Sequence, residues 1–216
     1  MNKLLDEIEI VQPAEIEKRS FEIITGILGD REFPKMHGPI IKRVIHTTAD
    51  FDYADTVKIS DGAVEKAMSA IKEGSPIFTD TMMAASGINK KLLGKWGGQV
   101  TCLIGDENVA EEAKARGITR SAVCMEKYVG LNKYAVFAVG NAPTALLRLS
   151  ELIRQGKAAP ALVVGVPVGF VNVIEAKKIL MDTGVPYIVA EGRKGGSNVA
   201  AAIVNAILYM MRDGSV

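Results

Sequence analysis

The sequence predicts a single α/β domain built around a mostly parallel β-sheet. Short β-branched segments alternate with helical segments along the chain, which is the pattern of parallel strands joined by crossover helices. The later strand segments are almost wholly apolar, as in strands that helices cover on both faces. The chain has 216 residues, of which 48% are hydrophobic, and a chain of this length can bury roughly 70% of its unfolded surface. It therefore needs neither a disulfide nor a metal to hold a core.

The first part of the chain carries two helical segments, at about 14–28 and 39–48, which we expect to pack as a pair on the sheet. Six strand segments follow: 56–59, 76–79, 100–104, 135–139, 161–164 and 187–190. No Pro/Ser-rich linker, repeat or low-complexity tract interrupts this order. We therefore predict one domain over residues 1–216.

Four further helical segments fit between or after the strands, and each has its own sequence signal. Segment 63–73 places its apolar residues on one stripe, and segment 106–116 opens with two acids and stops at a glycine. Segment 142–155 has a proline in its first turn and a glycine just past its end. The last segment, about 197–212, is the most apolar, so we expect it to be buried or to lie at a subunit interface.

The charge balance limits the classes of partner. There are 26 Lys and Arg against 25 Asp and Glu, which gives a formal net charge of +1. A nucleic-acid binder usually carries a basic excess, because its affinity comes largely from neutralising phosphates. We therefore expect no nucleic-acid partner.

Cysteine usage and hydropathy indicate a cytoplasmic protein with no membrane partner. The two cysteines, Cys102 and Cys124, form no CxxC motif, and we interpret them as buried free thiols in a reducing cytosol. Acidic residues stand near the N-terminus, where a signal peptide needs an apolar stretch. The longest charge-free segments, 158–174 and 195–211, are shorter than the roughly 20 residues that span a bilayer.

Small residues follow four of the strand segments, at the sheet edge where open α/β sheets bind ligands. These loops span 79–87, 140–144, 165–170 and 191–198. Three of them lead into a helix start, where free backbone N–H groups favour a phosphate or a carboxylate. None matches the GxGxxG or GxxxxGK[ST] fingerprint, which argues against a standard nucleotide site. For any one loop, a short turn with no binding role remains an alternative.

Two histidines, His37 and His46, are the candidates for proton transfer near neutral pH. His37 precedes a Gly-Pro pair and fits an ordinary loop position. On a helix, His46 shares a face with Arg43, away from the apolar stripe, so it is not a simple core histidine. Asp50 or Asp52 is a candidate partner for its imidazole. From spacing alone, a solvated surface histidine and a functional acid both fit His46.

Motifs for metal binding and for an activated nucleophile are missing from the sequence. It contains no HxH, no HExxH and no Cys/His cluster. It also contains no GxSxG elbow. We therefore expect no metal site.

Five segments of the chain resemble the precorrin-8X methylmutase family, the precorrin isomerases that include the cobalt-precorrin-8 enzymes. They occur in the family's order from about residue 13 to about residue 208, and both ends of the chain are peripheral to the resemblance. The segments are RVIHTTADFDY (43–53), PIFTDTMMAASG (76–87), VGNAPTAL (139–146), GVPVGFV (165–171) and GRKGGS (192–197).

The resemblance implies a flavodoxin-like three-layer α/β/α fold, a homodimer and an isomerisation in cobalamin biosynthesis. In that reaction a methyl group moves from C-11 to C-12 of precorrin-8X or cobalt-precorrin-8, which gives hydrogenobyrinate or cobyrinate. The reaction needs no redox cofactor, so none is expected. The family's catalytic histidine matches His46, and its substrate-contacting serine and arginine match Ser20 and Arg120.

Further substrate contacts are expected in the segments that carry the resemblance. The tetrapyrrole bears many acetate and propionate carboxylates, which suit backbone N–H groups and a few placed cations. The expected contacts are Ser20, Arg43, Thr79, Arg120, Asn141, Thr144, Lys194, Gly195 and Ser197. Without the resemblance, Ser20 fits a plain helix face, Arg120 a solvated charge and Lys194 an ordinary loop cation.

Two other functions stay open at this point. The first is a protein that binds the corrinoid without turnover. The second is a nucleotide-dependent α/β enzyme that uses the glycines at 140 and 195 in phosphate loops, although the standard fingerprints are missing.

Overall fold

The structure, a computed structural model, describes residues 9–214. The helices in this range are α1 (Ile16–Leu28), α2 (Gly38–Thr48), α3 (Tyr53–Thr56), α4 (Ala63–Lys72), α5 (Met82–Gly87), α6 (Lys90–Leu93), α7 (Glu107–Arg116), α8 (Arg120–Leu131), α9 (Pro143–Arg154), α10 (Val173–Met181) and α11 (Ser197–Arg212). The strands are β1 (Val57–Ile59), β2 (Ile77–Thr79), β3 (Val100–Thr101), β4 (Val136–Val139), β5 (Leu162–Gly165) and β6 (Tyr187–Ala190). All six predicted strands and all predicted helices are confirmed, and five helices are additional: α3, α5, α6, α8 and α10.

The six strands form one sheet in the order β1-β6-β5-β4-β2-β3. β1 runs antiparallel to β6, and the other neighbouring strands are parallel. Without β1, the parallel strands have the order of a flavodoxin-like sheet. The chain leaves β2 for β3 on one side and then returns to β4 on the other. The carboxyl ends of β2 and β4 therefore flank the switch point, where such sheets bind ligands.

Two apolar layers enclose the sheet, as the prediction of three layers requires. Successive residues of a strand point to opposite faces, and β4 follows this rule. Val136 and Ala138 pack in the core that contains α2, α4 and α11. Phe137 and Val139 pack in the core that contains α8, α9 and α10. Alternate burial on both faces explains why the strand is wholly apolar.

Strand β3 is shorter than the predicted segment 100–104. The backbone N–H of Leu103 donates to the hydroxyl of Tyr128 at 2.6 Å. This bond takes Leu103 away from the ladder with β2, so pairing ends at Thr101.

Helix α11 is buried by its own chain. Its residues Ala200, Ile203 and Ile207 are almost fully inaccessible and belong to the core between α2, α4 and the sheet. The N-terminal pair packs mainly through α2 against α11, with α1 on α2, rather than directly on the strands. The apolar sequence of α11 is thus explained by burial, and it gives no separate indication of a subunit interface. Between residues 9 and 214, no helix is long and apolar enough to cross a membrane.

Candidate functional site

His46 lies in the last turn of α2 and is exposed. Ile41, Val44 and Ile45 form the buried face of this helix, which leaves His46 on the outer face as predicted. Its imidazole stacks on the ring of Phe21 from α1, with 5.1 Å between ring centroids and 11° between planes. The histidine is therefore accessible to a ligand, while one aromatic contact limits the orientation of its ring.

The guanidinium of Arg43 supports the same aromatic ring. It lies 4.6 Å from the ring centroid of Phe21 and 4.9 Å from that of Tyr209, within the range of a cation–π contact. It also donates a hydrogen bond to the carboxylate of Glu17. We expected Arg43 to contact substrate, but its charge is already paired within the chain. In this structure Arg43 instead holds Phe21, and through Phe21 the ring of His46.

Ser20 precedes Phe21 on α1 and is half-buried. Its hydroxyl donates to the carbonyl of Ile16 at 2.8 Å, so it is free to accept a further bond but not to donate one. Ile16, Ile23 and Ile27 lie on the same stripe of α1 and are all exposed; Ile27 is 61% accessible. Ser20 therefore lies on an apolar outer face next to the residue that contacts His46.

Lys194 connects the β6–α11 loop to the segment that follows α2. Its ammonium lies 2.5 Å from Asp50 and 2.6 Å from Asp52. The hydrogen bond from Lys194 lowers the pKa of the Asp50 carboxyl, and the same pairing raises the pKa of Lys194. The two aspartates, which we considered as partners of His46, thus bind Lys194. The cation that we expected to contact substrate is engaged with two carboxylates.

Asp80 fills the switch point between β2 and β4. Its buried carboxylate accepts hydrogen bonds from the backbone N–H groups of Gly140, Asn141 and Ala142 at 2.9, 2.8 and 2.7 Å. Burial raises the pKa of Asp80, and the three N–H donors oppose that shift. The predicted anion-binding loop is therefore real, but the anion is a side chain of the same chain. This arrangement argues against a nucleotide phosphate at Gly140.

Thr79 and Ser197 lie inside the loops that border the switch point. Thr79 has no accessible surface, and its hydroxyl donates to the carbonyl of Thr81 at 3.1 Å. Ser197 is also buried, with its hydroxyl 2.7 Å from that of Thr81. The hydroxyl of Thr81 in turn caps α5 by accepting from the N–H of Ala84. We expected Thr79 and Ser197 to contact substrate; their burial instead gives them the role of joining the loops after β2 and β6.

Gly195 is required by a close approach of two loops. A Cβ atom at this position would lie 2.1 Å from the carbonyl oxygen of Val166, and the backbone has φ +157°. The N–H of the next residue, Gly196, donates to the same oxygen at 2.9 Å. A side chain at 195 would push the β6–α11 loop away from the loop that follows β5.

Three expected contacts lie at the starts of α8 and α9. Arg120 and Asn141 have exposed side chains, and Thr144 is half-buried. The hydroxyl of Thr119 donates to that of Thr144 at 3.0 Å, at the rim of a cavity of about 390 Å³ between the two helices. These side chains are accessible to a ligand. Within residues 9–214, no hydrogen bond, ion pair or ring contact joins them to His46.

Sequence reasoning missed Phe21, Asp80 and Lys177. Lys177 carries a usable signal, because it occupies the apolar stripe that Val173 and Leu180 define on α10. Phe21 and Asp80 carry no such signal, since their partners lie far away in the sequence. In the described part of the chain, no group of three or more His, Cys, Asp or Glu side chains could hold a metal.

Comparisons with known proteins agree with this architecture. A model of the family described as precorrin-8X methylmutase matches residues 15–210. The cobalt-precorrin-8 methylmutase of Salmonella typhimurium is 47% identical over 210 residues, which cover 94% of this chain and 98% of that protein. The enzyme of the same name from Priestia megaterium is 43% identical over 204 residues, covering 94% and 91%.

A solved structure supports the same assignment. The precorrin-8x methyl mutase of Thermus thermophilus superposes with a TM-score of 0.85 at 42% identity, covering 94% of this chain and 100% of that one. Sequence and fold therefore agree over nearly the whole described chain. The chain belongs to the precorrin-8X methylmutase family and is an isomerase of cobalamin biosynthesis.

Proposed function

We propose that the chain moves a methyl group from C-11 to C-12 of precorrin-8X or cobalt-precorrin-8, with His46 as the acid. The C-11–CH₃ bond breaks and the C-12–CH₃ bond forms, so the reaction has no leaving group and no net change in protons or electrons. The product is hydrogenobyrinate or cobyrinate, and any cobalt is held by the macrocycle. The chemistry needs no cofactor, nucleophile or metal from the protein.

The observation that carries this proposal is the exposed imidazole of His46, which stacks on the ring of Phe21. His46 lies in segment 43–53, which resembles the segment that holds the family's catalytic histidine. Histidine is the side chain that best gives and regains a proton near neutral pH. A proton or hydrogen bond placed on a ring nitrogen would promote the 1,5-sigmatropic shift. The proton returns to His46 when the migration is complete, as an isomerisation requires.

The substrate's carboxylates need donors at the rim of the cleft. We assign this role to Arg120, Asn141 and Thr144, whose side chains are accessible, and to the backbone around Gly195. Ser20 contributes as an acceptor, because its hydroxyl proton is already used. Arg43, Thr79, Lys194 and Ser197 act indirectly, since their polar atoms are paired within the chain.

A second copy of the chain would cover the exposed apolar surface. Besides the isoleucine stripe of α1, the loop after β5 exposes Phe170 at 86% and Val171 at 76%. Exposed apolar residues in such groups mark sites of partner or ligand contact. We therefore propose a homodimer whose cleft takes residues from both copies. Sedimentation at micromolar concentration should give the mass of two chains, and a monomer there would refute the dimer.

Cys102 and Cys124 are both free; Cys124 is buried as predicted, whereas Cys102 is only half-buried. Two free thiols suit a reducing compartment, so we propose a cytoplasmic location. Cell fractionation tests it. Recovery of the protein with the periplasmic or the membrane fraction would contradict this location.

Turnover is tested with purified protein and each of the two precorrins, by following the visible spectrum as the conjugated system changes. We expect His46→Ala to bind substrate normally and to lose turnover by about a hundredfold or more. His37→Ala, which removes the other histidine, should leave turnover unchanged. Full turnover in His46→Ala would show that the acid is misassigned. Tight binding with no conversion by the wild-type protein would favour a corrinoid-binding protein.

A further inference from the structure

Lys177 is a buried cation whose partners among the described residues are backbone carbonyls. It lies on α10 and is 1% accessible. Its ammonium donates to the backbone carbonyls of Gly192 at 2.9 Å and Lys194 at 2.8 Å. Within residues 9–214, it forms no ion pair. Two backbone carbonyls are thus its described partners.

Both carbonyls belong to residues 191–196, which we call the anchor loop. They flank Arg193, whose own carbonyl accepts from the N–H of Gly169 at 3.2 Å. Three successive carbonyls are therefore held from inside the protein by Lys177 and the loop after β5. With its backbone held in this way, the anchor loop turns the side chain of Lys194 outward, where it is exposed.

The outward side chain of Lys194 reaches the segment that ends α2. It binds Asp50 and Asp52, four and six positions after His46. A continuous series of polar contacts therefore runs from the interior of α10 through the anchor loop to the end of the helix that carries His46. Each contact in the series is a hydrogen bond of 2.9 Å or less.

Resting on the proposed role of His46, we propose that Lys177 is a positioning residue that acts on His46 through Lys194. The ammonium fixes the anchor loop, and the loop fixes the end of α2 relative to the cleft. Stability alone does not account for a lysine here, because burying an unpaired ammonium is costly and an apolar residue of similar size is often tolerated as well or better. A methionine at this position would fill the same volume without holding the loop.

The test compares Lys177→Met with Lys178→Met, which changes the next residue of α10, an exposed lysine. Two quantities are measured: kcat and KM for methyl migration, and the ¹H–¹³C ring resonances of the histidines. For Lys177→Met we expect the His46 resonances to shift, with those of His37 as an internal reference. We also expect kcat to fall by about ten- to a hundredfold, since small displacements of catalytic groups have effects of this size, with a smaller change in KM.

Lys194→Met provides a second, independent test on an exposed residue that carries little risk to folding. It should shift the same resonances and lower kcat in the same way, and the double variant should lose little more than either single one. The proposal would be overturned if Lys177→Met kept the wild-type His46 resonances and the wild-type kcat. If Lys177→Met does not fold, the same result in Lys194→Met would overturn it. Absence of turnover in the wild type would instead refute the proposed function, while the resonances would still test the connection to His46.

Discussion

The imidazole of His46 lies parallel to the phenyl ring of Phe21, with 5.1 Å between centroids and 11° between planes. The two rings come from different helices, α2 and α1. Arg43 contacts the same phenyl ring, 4.6 Å from its centroid. The orientation of the exposed histidine is therefore set by a residue whose own position is set by a cation–π contact with Arg43.

Replacing Phe21 should lower turnover by loosening the imidazole. An aromatic pair is worth about 0.5–1.5 kcal/mol beyond its buried area, so we expect Phe21→Leu to lower kcat by about two- to tenfold. Phe21→Tyr keeps the ring and should retain wild-type kcat. Initial rates from the visible spectrum measure both variants. Equal rates in Phe21→Leu and the wild type would show that the stack does not orient the acid.

Removing the carboxylate of Asp80 should destabilise the fold at the switch point. Three N–H groups would lose their acceptor: those of Gly140 and Ala142, whose bonds are buried, and that of Asn141, whose bond is part-buried. An unsatisfied buried donor costs about 1–3 kcal/mol, so we expect Asp80→Ala to lose about 3 kcal/mol or more in urea unfolding. Asp61→Ala, at an exposed aspartate, is the matched control.

The emptied loop of Asp80→Ala should also accept an external anion. Inorganic phosphate or sulfate should raise the unfolding midpoint of this variant more than that of the wild type, because an anion binds the free N–H groups. An Asp80→Ala protein as stable as the wild type would show that water replaces the carboxylate without loss.

The layered fold was predictable because its signals are local. In β4, the apolar run 136–139 indicates burial on both faces, and the structure places Phe137 and Val136 on opposite sides of the sheet. The antiparallel direction of β1 has no such signal. It depends on a pairing between Val57 and Ala190, 133 positions apart in the sequence.

The site was predictable only in part, for the same reason. The spacing around His46 was enough to place it on the outer face of α2. The roles of Thr79 and Asp80 could not be derived, because one side chain turns inward and the other binds N–H groups about 60 residues further on. Burial of a polar side chain is decided by such distant partners, which no local pattern contains.

Lys177 should make stability depend on pH in the alkaline range. Burial lowers its pKa to about 8, from an ordinary value of 10.5. Between these two values the unfolded chain binds more protons than the folded one, so raising the pH favours the folded state. Below pH 8 both states are protonated and the destabilising effect is constant. The gain from pH 8 to pH 10.5 is at most about 3 kcal/mol.

This dependence is measured by urea unfolding of the wild type and Lys177→Met from pH 7.5 to pH 9.5. The stability of the wild type relative to Lys177→Met should rise with pH. Lys178→Met, which retains Lys177, is the matched control. A difference from Lys177→Met that does not change with pH would show that the ammonium is not desolvated.

Gly195→Ala should displace the anchor loop, because the added Cβ would lie 2.1 Å from the carbonyl oxygen of Val166 and the backbone has φ +157°. We expect a loss of about 2–4 kcal/mol in urea unfolding. Gly94→Ala is the matched control, since no atom lies within 4 Å of its Cβ position and φ is −61°. A displaced loop would weaken the contact of Lys194 with Asp50 and would also move the backbone around Gly195 that we assign to the substrate's carboxylates, so kcat should fall further than in Lys194→Met. Unchanged stability in Gly195→Ala would mean that the two loops do not approach this closely in solution.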